Sequence, residues 1–132
     1  MSKAQELMNI LEQDDSLVLC NKFASQLQKK IVAYTEDVQR KQKIFINADK
    51  VYVNKRGKEM VTIDVGYDEG KFIYDTLDGN LYGIKSYAII DRKKNFGNLY
   101  DIISKDFDWN GETIVKKGYK GKARDGFAGK VT

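Results

Sequence analysis

The chain has 132 residues, of which 42% are apolar and 32% charged, and it contains no proline and a single cysteine. This length suits one domain over residues 1–132, and the composition excludes a disordered linker, a proline-rich ligand and a disulfide framework. The formal net charge is +4, yet residues 116–132 hold six cations and one anion, so residues 1–115 sum to −1.

The first third of the chain predicts two helices. A capping box at the start and apolar residues at helical spacing predict a short helix over residues 3–14. Asp15 or Ser16 can cap a second, long helix over residues 16–43. Along the long helix, apolar residues alternate steps of three and four: Leu17, Cys20, Ala24, Leu27, Ile31, Tyr34 and Val38.

This apolar seam has two interpretations. In the first, the helix packs on the protein's own sheet and the chain is a monomer. In the second, the seam pairs with a second copy, and the positions that would carry a homodimer are Leu17, Leu27, Ile31 and Val38.

After residue 43 the hydrophobic period changes to two, which predicts strands. The chain turns at 55–58, and Asp78-Gly79 suits a tight turn because glycine accepts positive φ. A second hairpin turn is expected over residues 67–70. The predicted strands lie at 50–53, 61–65, 72–74, 81–84 and 87–90, with an additional strand at 44–46 as the alternative beginning. The pattern predicts a four- to five-stranded antiparallel meander.

The C-terminal third predicts a short helix over residues 98–105, capped by Asn98, and a turn at Asn110-Gly111 into a strand at 113–115. The fold class is therefore α+β, with the N-terminal helices packed on the meander. A meander followed by a helix, over residues 44–105, is similar in element order to Whirly-type single-strand-binding modules. That resemblance implies a curved sheet that presents lysines and aromatic rings to unpaired strands.

The residue inventory excludes most catalytic chemistry. Without histidine and with one cysteine, neither a nucleophilic triad nor a thiolate zinc site can form. We therefore predict no enzyme, no catalytic residue, no metal and no cofactor. The alternative is a carboxylate nuclease, because acidic residues cluster with a lysine near the predicted turn at 67–70. The residues of that cluster are Asp64, Asp68, Glu69 and Lys71.

Residues 106–111 match the first half of a calcium-binding loop, with oxygen ligands at Asp106, Asp108 and Asn110. The second half does not match, because Lys117 occupies the position that needs a bidentate glutamate. The other interpretation of this segment is the end of a helix followed by a turn.

The basic C-terminal arm, residues 116–132, predicts a nucleic-acid interface, since lysines neutralise phosphates and aromatic rings stack on bases. Its candidate residues are Lys116, Lys117, Tyr119, Lys120, Lys122, Arg124 and Lys130. A basic run between the last long strand and the third helix extends the surface: Arg92, Lys93 and Lys94. Sheet tyrosines expected to be exposed for stacking are Tyr52, Tyr74 and Tyr82.

Lysine outnumbers arginine 19 to 4, which favours point-charge contacts with phosphate over reading of base edges. The expected function is a small nucleic-acid-binding protein of weak sequence specificity, with single strands preferred over duplexes. The alternative is a protein-binding inhibitor or regulator, or a virion assembly component, which uses the helical seam or a sheet edge. In that case the arm docks onto an acidic protein surface.

The lysine-, asparagine-, isoleucine- and tyrosine-rich composition is typical of an AT-rich genome and suggests a phage or mobile element. Acidic residues near the N-terminus and short aliphatic runs predict neither a signal peptide nor a membrane span. We expect a cytoplasmic protein, in the host cytoplasm if it is phage-encoded.

Overall fold

The computed structural model describes residues 3–86 and 89–118, with side chains described outside 3–15 and 68–70. In chain order its elements are α1 (Lys3–Gln42), β1 (Val51–Arg56), β2 (Met60–Val65), β3 (Asp68–Asp75), β4 (Asn80–Ser86), β5 (Ile89–Asn98), α2 (Leu99–Lys105), β6 (Phe107–Trp109) and β7 (Ile114–Lys116). Strands β1 to β5 form an antiparallel sheet in sequence order, and β6 pairs with β7 separately. The α+β class and the five-stranded meander are confirmed.

The N-terminal region forms one helix of 40 residues, not the short 3–14 helix and long 16–43 helix that the sequence predicts. Aspartate and serine inside a helix cost only about 0.5 kcal/mol each relative to alanine. The helix contains neither glycine nor proline, the residues that interrupt a helix more strongly. The capping signal at Asp15 and Ser16 is therefore too weak to divide it.

The helix α1 ends at Gln42, one residue before the predicted end. Lys43 takes a left-handed conformation, with φ of 55°. Arg40 and Lys41 lie in the last turn, where positive charges interact favourably with the helix dipole. Residues 44–50 then have no regular structure, so the alternative strand at 44–46 is wrong. Phe45 in this connection is 82% exposed.

Short turns join β1 to β2, β2 to β3 and β3 to β4. The turn at Asp78-Gly79 is confirmed, with Gly79 at a φ of 75°. The turn expected over 67–70 instead occupies residues 66–67, and Asp68 already begins β3. Gly66 supplies the positive φ that this shorter turn requires.

Strand β5 is longer than predicted and pairs irregularly with β4, with register shifts between Leu81 and Ser86. The predicted strand at 87–90 is found only from Ile89 onwards, because residues 87 and 88 lie outside the described part of the chain. Residues 92–94 consequently belong to β5, rather than to a connection between a strand and a helix.

The core lies between α1 and one face of the sheet, which we call the inner face. Phe23 is central: its ring centre lies 5.8 Å from that of Phe72 and 5.2 Å from that of Phe107. The buried cluster comprises Cys20, Phe23, Leu27, Ile31, Val61, Ile63, Val65, Phe72, Tyr74, Leu81, Leu99, Ile102, Phe107 and Ile114. Alternate residues of β2 and β3 contribute to it, as expected for strands with one face on a core.

The apolar seam of α1 packs on the protein's own sheet. Leu27 and Ile31 are 0% and 2% exposed, and Leu17 packs against the same cluster, while Val38 is half-buried. In this fold Leu27 and Ile31 are not accessible to a second copy. The oligomeric state itself stays a prediction.

The remaining elements, α2, β6 and β7, contribute further residues to the core. The Asn98 side chain accepts a hydrogen bond from the Asp101 N–H at 3.2 Å and caps α2, as predicted. Strand β7 is confirmed one residue later than expected, and its partner β6 has no counterpart in the prediction.

Within the described ranges, the one long helix is too polar to cross a bilayer.

Candidate nucleic-acid interface

The first residues of the arm are attached to the body by two carboxylates. Lys117 Nζ lies 3.5 Å from Asp106 Oδ2, and the same oxygen accepts a hydrogen bond from Lys30 Nζ of α1 at 3.0 Å. The Gly118 N–H donates to Asp108 Oδ2 at 2.8 Å. The point at which the chain leaves β7 is therefore fixed against α1 and β6.

Asp106 has a pKa below its ordinary value. Partial burial acts to raise that pKa, but hydrogen bonds from Lys30 Nζ and the Phe107 N–H, together with the charge of Lys30, outweigh the burial. Asp106 is thus ionised at neutral pH and holds two lysines on one oxygen. The ammonium of Lys117 is already paired at the base of the arm, while Lys116 is exposed.

Five of the predicted arm residues lie outside the described part of the chain, and the structure places none of them. These residues are Tyr119, Lys120, Lys122, Arg124 and Lys130. Their role in binding stays a prediction.

Arg92, the first residue of the basic run on β5, lies on the outer face of the sheet, the face turned away from α1. Arg92 donates to Asp75 Oδ2 at 2.7 Å and lies 3.6 Å from Asp78 Oδ2. Its guanidinium carbon is 4.8 Å from the centre of the Tyr82 ring, and the Tyr82 hydroxyl donates to Asp78. The hydrogen bond to Asp75, with that to Tyr82, raises the pKa of Arg92. Two carboxylates therefore partly neutralise this cation.

The two lysines that follow Arg92 are exposed. Lys94 Nζ donates to the Ile84 carbonyl at 3.1 Å. Its aliphatic chain lies against Gly83, where a Cβ atom would come within 2.9 Å of Lys94 Cδ. Lys93 makes a backbone contact, its N–H donating to Asp91 Oδ1 at 3.0 Å. Of the three cations in the run, Lys93 has the side chain that is least engaged by contacts within the described residues.

The described contacts place Arg92 and Lys117 on different sides of the sheet. Arg92 contacts the outer face, whereas Lys117 contacts Asp106 beside Lys30 of α1, which covers the inner face. A continuous basic surface that includes both sets stays a prediction.

Two of the three tyrosines expected to stack on bases are unavailable. Tyr74 points into the core and is 6% exposed, and Tyr82 is 5% exposed beneath Arg92. Tyr52 is 52% exposed, on the outer face of β1 opposite Asp64. It is the tyrosine of these three that retains an accessible ring.

The segment that resembles half a calcium loop is used for internal hydrogen bonds. Asp106 and Asp108 hold the base of the arm, and Asn110 Oδ1 accepts from the N–H groups of Glu112 and Thr113 at 2.8 Å each. Asn110 therefore shapes the β6–β7 turn. Across the described ranges, no three acidic or thiol side chains lie together as metal ligands would.

The acidic cluster considered for a nuclease is partly described. Asp64 accepts a hydrogen bond from Asn54 Nδ2 at 2.6 Å, and Lys71 Nζ lies 5.9 Å from the centre of the Trp109 ring. The side chains of the other two members, at positions 68 and 69, are not described. The contact of Asp64 is one between neighbouring strands, on the outer face of β1 and β2.

A basic stretch on β1 escaped the sequence prediction. Residues 50–58 hold four cations and no anion: Lys50, Lys55, Arg56 and Lys58. Residues 55–58 within this stretch predict a hairpin turn, and the charge of the whole stretch is a further signal in the same residues. In the fold this stretch forms the edge strand of the sheet and its turn.

Comparison with known proteins gives no relative. No family model matches the chain, and neither the curated proteins nor the solved structures contain a match. The likeness in element order to Whirly-type modules therefore gains no support from a structural match.

Proposed function

We propose that this chain is a non-enzymatic nucleic-acid-binding protein of weak sequence specificity, in which the basic arm supplies most of the affinity. The observation that carries the proposal is the segregation of charge: residues 116–132 sum to +5, and residues 1–115 sum to −1. A polyanion gains most from such a segment because each lysine that neutralises a phosphate releases a counterion.

The attachment of the arm supports this proposal. Asp106 and Asp108 fix the chain at Lys117 and Gly118, so the cations that follow start from a defined point on the body. The exposed ring of Tyr52 and the arm aromatics Tyr119 and Phe127 provide stacking partners for unpaired bases, which favours single strands.

Fluorescence anisotropy with a labelled oligothymidylate tests the proposal at about 50 and 200 mM salt. The variant carries glutamine at four arm positions: Lys120, Lys122, Arg124 and Lys130. A matched control carries glutamine at four exposed lysines of the body: Lys22, Lys29, Lys85 and Lys105. If the arm binds phosphate, the arm variant loses affinity, and its slope of log K against log salt concentration becomes shallower by up to about 3. The control should keep the affinity and the slope of the unchanged chain.

Two results would contradict the proposal. One is an affinity that does not change between the two salt concentrations. The other is an arm variant that binds as tightly as the body control. A labelled duplex of the same length, measured in parallel, tests the preference for single strands.

A protein-binding role, as an inhibitor, regulator or virion assembly component of phage or mobile-element origin, is the second candidate. The observation that favours it is the exposure of Phe45, 82%, in the connection that precedes the edge strand β1. Affinity capture from a host lysate, with and without nuclease, separates the two candidates. Recovery of one protein after nuclease treatment favours the second, and loss of all partners favours the first.

A further inference from the structure

Strand β1 lies at the edge of the five-stranded sheet, and its register shows which backbone groups face outward. The Gly66 N–H donates to the Lys50 carbonyl at 2.8 Å, and Val51 is opposite Val65. In an antiparallel pair, residues alternate between hydrogen-bonded and non-bonded positions. The even-numbered residues of β1 therefore bond to β2. Val51, Val53 and Lys55 direct their N–H and C=O groups away from the sheet.

A glutamine side chain of α1 covers the beginning of this edge. Gln28 Nε2 donates to the Asp49 carbonyl, and Gln28 Oε1 accepts from the Val51 N–H, both at 2.9 Å. One residue of a parallel neighbouring strand would make the same two hydrogen bonds, to residues i−1 and i+1. The side chain of Gln28 thus occupies the place of a sixth strand for one residue.

Beyond Gln28, none of the described residues covers the edge. Within residues 3–86 and 89–118, no hydrogen bond is found to the Val51 carbonyl or to the N–H and C=O groups of Val53 and Lys55. This stretch from Val51 to Lys55 is about 16 Å long. It presents donors and acceptors in alternation, which is the pattern that another strand would pair with.

The chemistry around the open edge selects the charge of a partner. Residues 50–58 contain four cations and no anion, and Lys50, Lys55 and Lys58 are exposed. Tyr52 adds a half-exposed ring on the outer face, one residue from the open positions. An incoming strand that carries carboxylates on the outer face, beside Lys50, and apolar residues on the inner face, beside Val51 and Val53, complements this surface.

We propose that the edge of β1 binds an extended acidic peptide segment of a partner protein by strand addition, continuing the line that Gln28 begins. A nucleic acid fits this edge less well, because phosphates supply acceptors for the N–H groups but no donors for the carbonyls of Val51, Val53 and Lys55. The proposal uses residues other than the arm, so it is independent of the nucleic-acid proposal. It gives the protein-binding candidate the chemistry of its partner.

The first experiment measures binding of a labelled octapeptide of alternating glutamate and valine to the full chain by fluorescence anisotropy. A series of peptides, each N-methylated at one successive position, is then compared. We expect methylation to weaken binding about tenfold at every second position and to have little effect between them, because only alternate N–H groups face β1. Absence of saturable binding, or equal effects at all positions, would overturn the proposal.

The second experiment changes the protein. Lys55→Pro removes an outward N–H and leaves the β1–β2 ladder in place, so the variant should fold and lose at least tenfold in affinity. Lys55→Gln isolates the loss of charge and should lose only a few-fold, and Lys105→Gln on α2 controls for net charge. If Lys55→Pro folds and binds normally, the proposal fails. If it does not fold, the methylation series on the unchanged chain still decides.

Competition separates the peptide from a phosphate ligand. We expect a short oligothymidylate to displace the peptide only partially and with strong salt dependence, while a second acidic peptide displaces it completely. Complete displacement by the oligonucleotide, together with a flat methylation series, would show that the edge is a phosphate site. If the arm variant retains its affinity for the oligonucleotide, the nucleic-acid proposal fails and the peptide result is unchanged. The two proposals therefore fail separately.

Discussion

Arg92 lies over the face of the Tyr82 ring, 4.8 Å from its centre, and donates to Asp75 in the same arrangement. Asp75 is only 3% exposed on the outer face of the sheet. A carboxylate this buried requires hydrogen-bond donors, and Arg92 supplies one from the irregular part of β5. This contact attaches β5 to β3 across β4, so Arg92 is a structural residue whatever else it binds.

Arg92→Ala should destabilise the protein, because Asp75 loses a donor and the Tyr82 ring becomes exposed. Arg92→Lys should be intermediate, since an ammonium retains the charge but lacks the planar group that stacks on the ring. Urea unfolding followed by circular dichroism gives the order. Lys93→Ala, one residue away and exposed, is the matched control, and an equal loss of stability in it would contradict a specific role for Arg92.

Leu27→Ala should cost roughly 2–5 kcal/mol in the free energy of unfolding, because it opens a cavity in the centre of the α1–sheet core. Leu27→Asp should prevent folding, since it buries a charge without a partner. Val32→Ala on the 37% exposed side of the same helix should change stability by about 0.5 kcal/mol or less. A folded monomeric Leu27→Asp variant would show that this face of α1 is not buried.

The thiol of Cys20 should be unreactive in the folded protein. It is 0% exposed, and burial raises its pKa to about 12. The neutral thiol stabilises the fold fully below the ordinary pKa of 9.0, and this contribution is lost as the pH rises towards 12. At pH 8, a thiol-specific reagent should label the chain only as fast as the core opens, and at once in urea. Rapid labelling without denaturant would contradict the burial of Cys20.

Asp106 should contribute to stability at neutral pH and not in acid. Because its folded pKa is lowered, its contribution is complete above the ordinary aspartate pKa of 3.8 and is lost as the pH falls through the lower, folded value. Asp106→Asn should therefore be less stable than the unchanged chain at pH 6, and the two should converge as the pH falls below the lowered pKa of Asp106. Thermal unfolding across this range measures the difference. A gap that stays constant with pH would show that the charge of Asp106 is not responsible.

The elements that the sequence predicts best are those decided by neighbouring residues. The turn at Gly79 needs only a positive φ, and the cap at Asn98 needs only an N–H three residues later, so both could be recognised locally. The break near Ser16 was predicted on the same kind of evidence and is wrong. There the local preference is small, and the packing of Leu17 and Cys20 on the core keeps the helix continuous.

The surface of the protein was harder to predict than its elements. Alternation along β3 and β4 places Tyr74 and Tyr82 on opposite faces of the sheet. The side chain that covers the Tyr82 ring is Arg92, which lies ten residues later, in the irregular strand β5. The contact between Gln28 and Val51 joins residues 23 apart through an amide that belongs to no hydrophobic pattern. Such contacts depend on the tertiary arrangement, and periodicity contains no information about them.

The order of the meander has a consequence for synthesis on the ribosome. Each strand from β1 to β5 pairs with its neighbour in sequence, so the sheet can be built progressively as the chain emerges. The helix α1 is made first, and Phe23 precedes Phe72, its ring partner in the sheet, by 49 residues. At elongation rates of about 5–20 residues per second, the apolar face of α1 waits roughly 2–10 s for the central strands. During that interval the apolar residues of α1 lack their sheet partners, which is the condition under which nascent chains aggregate unless chaperones shield them.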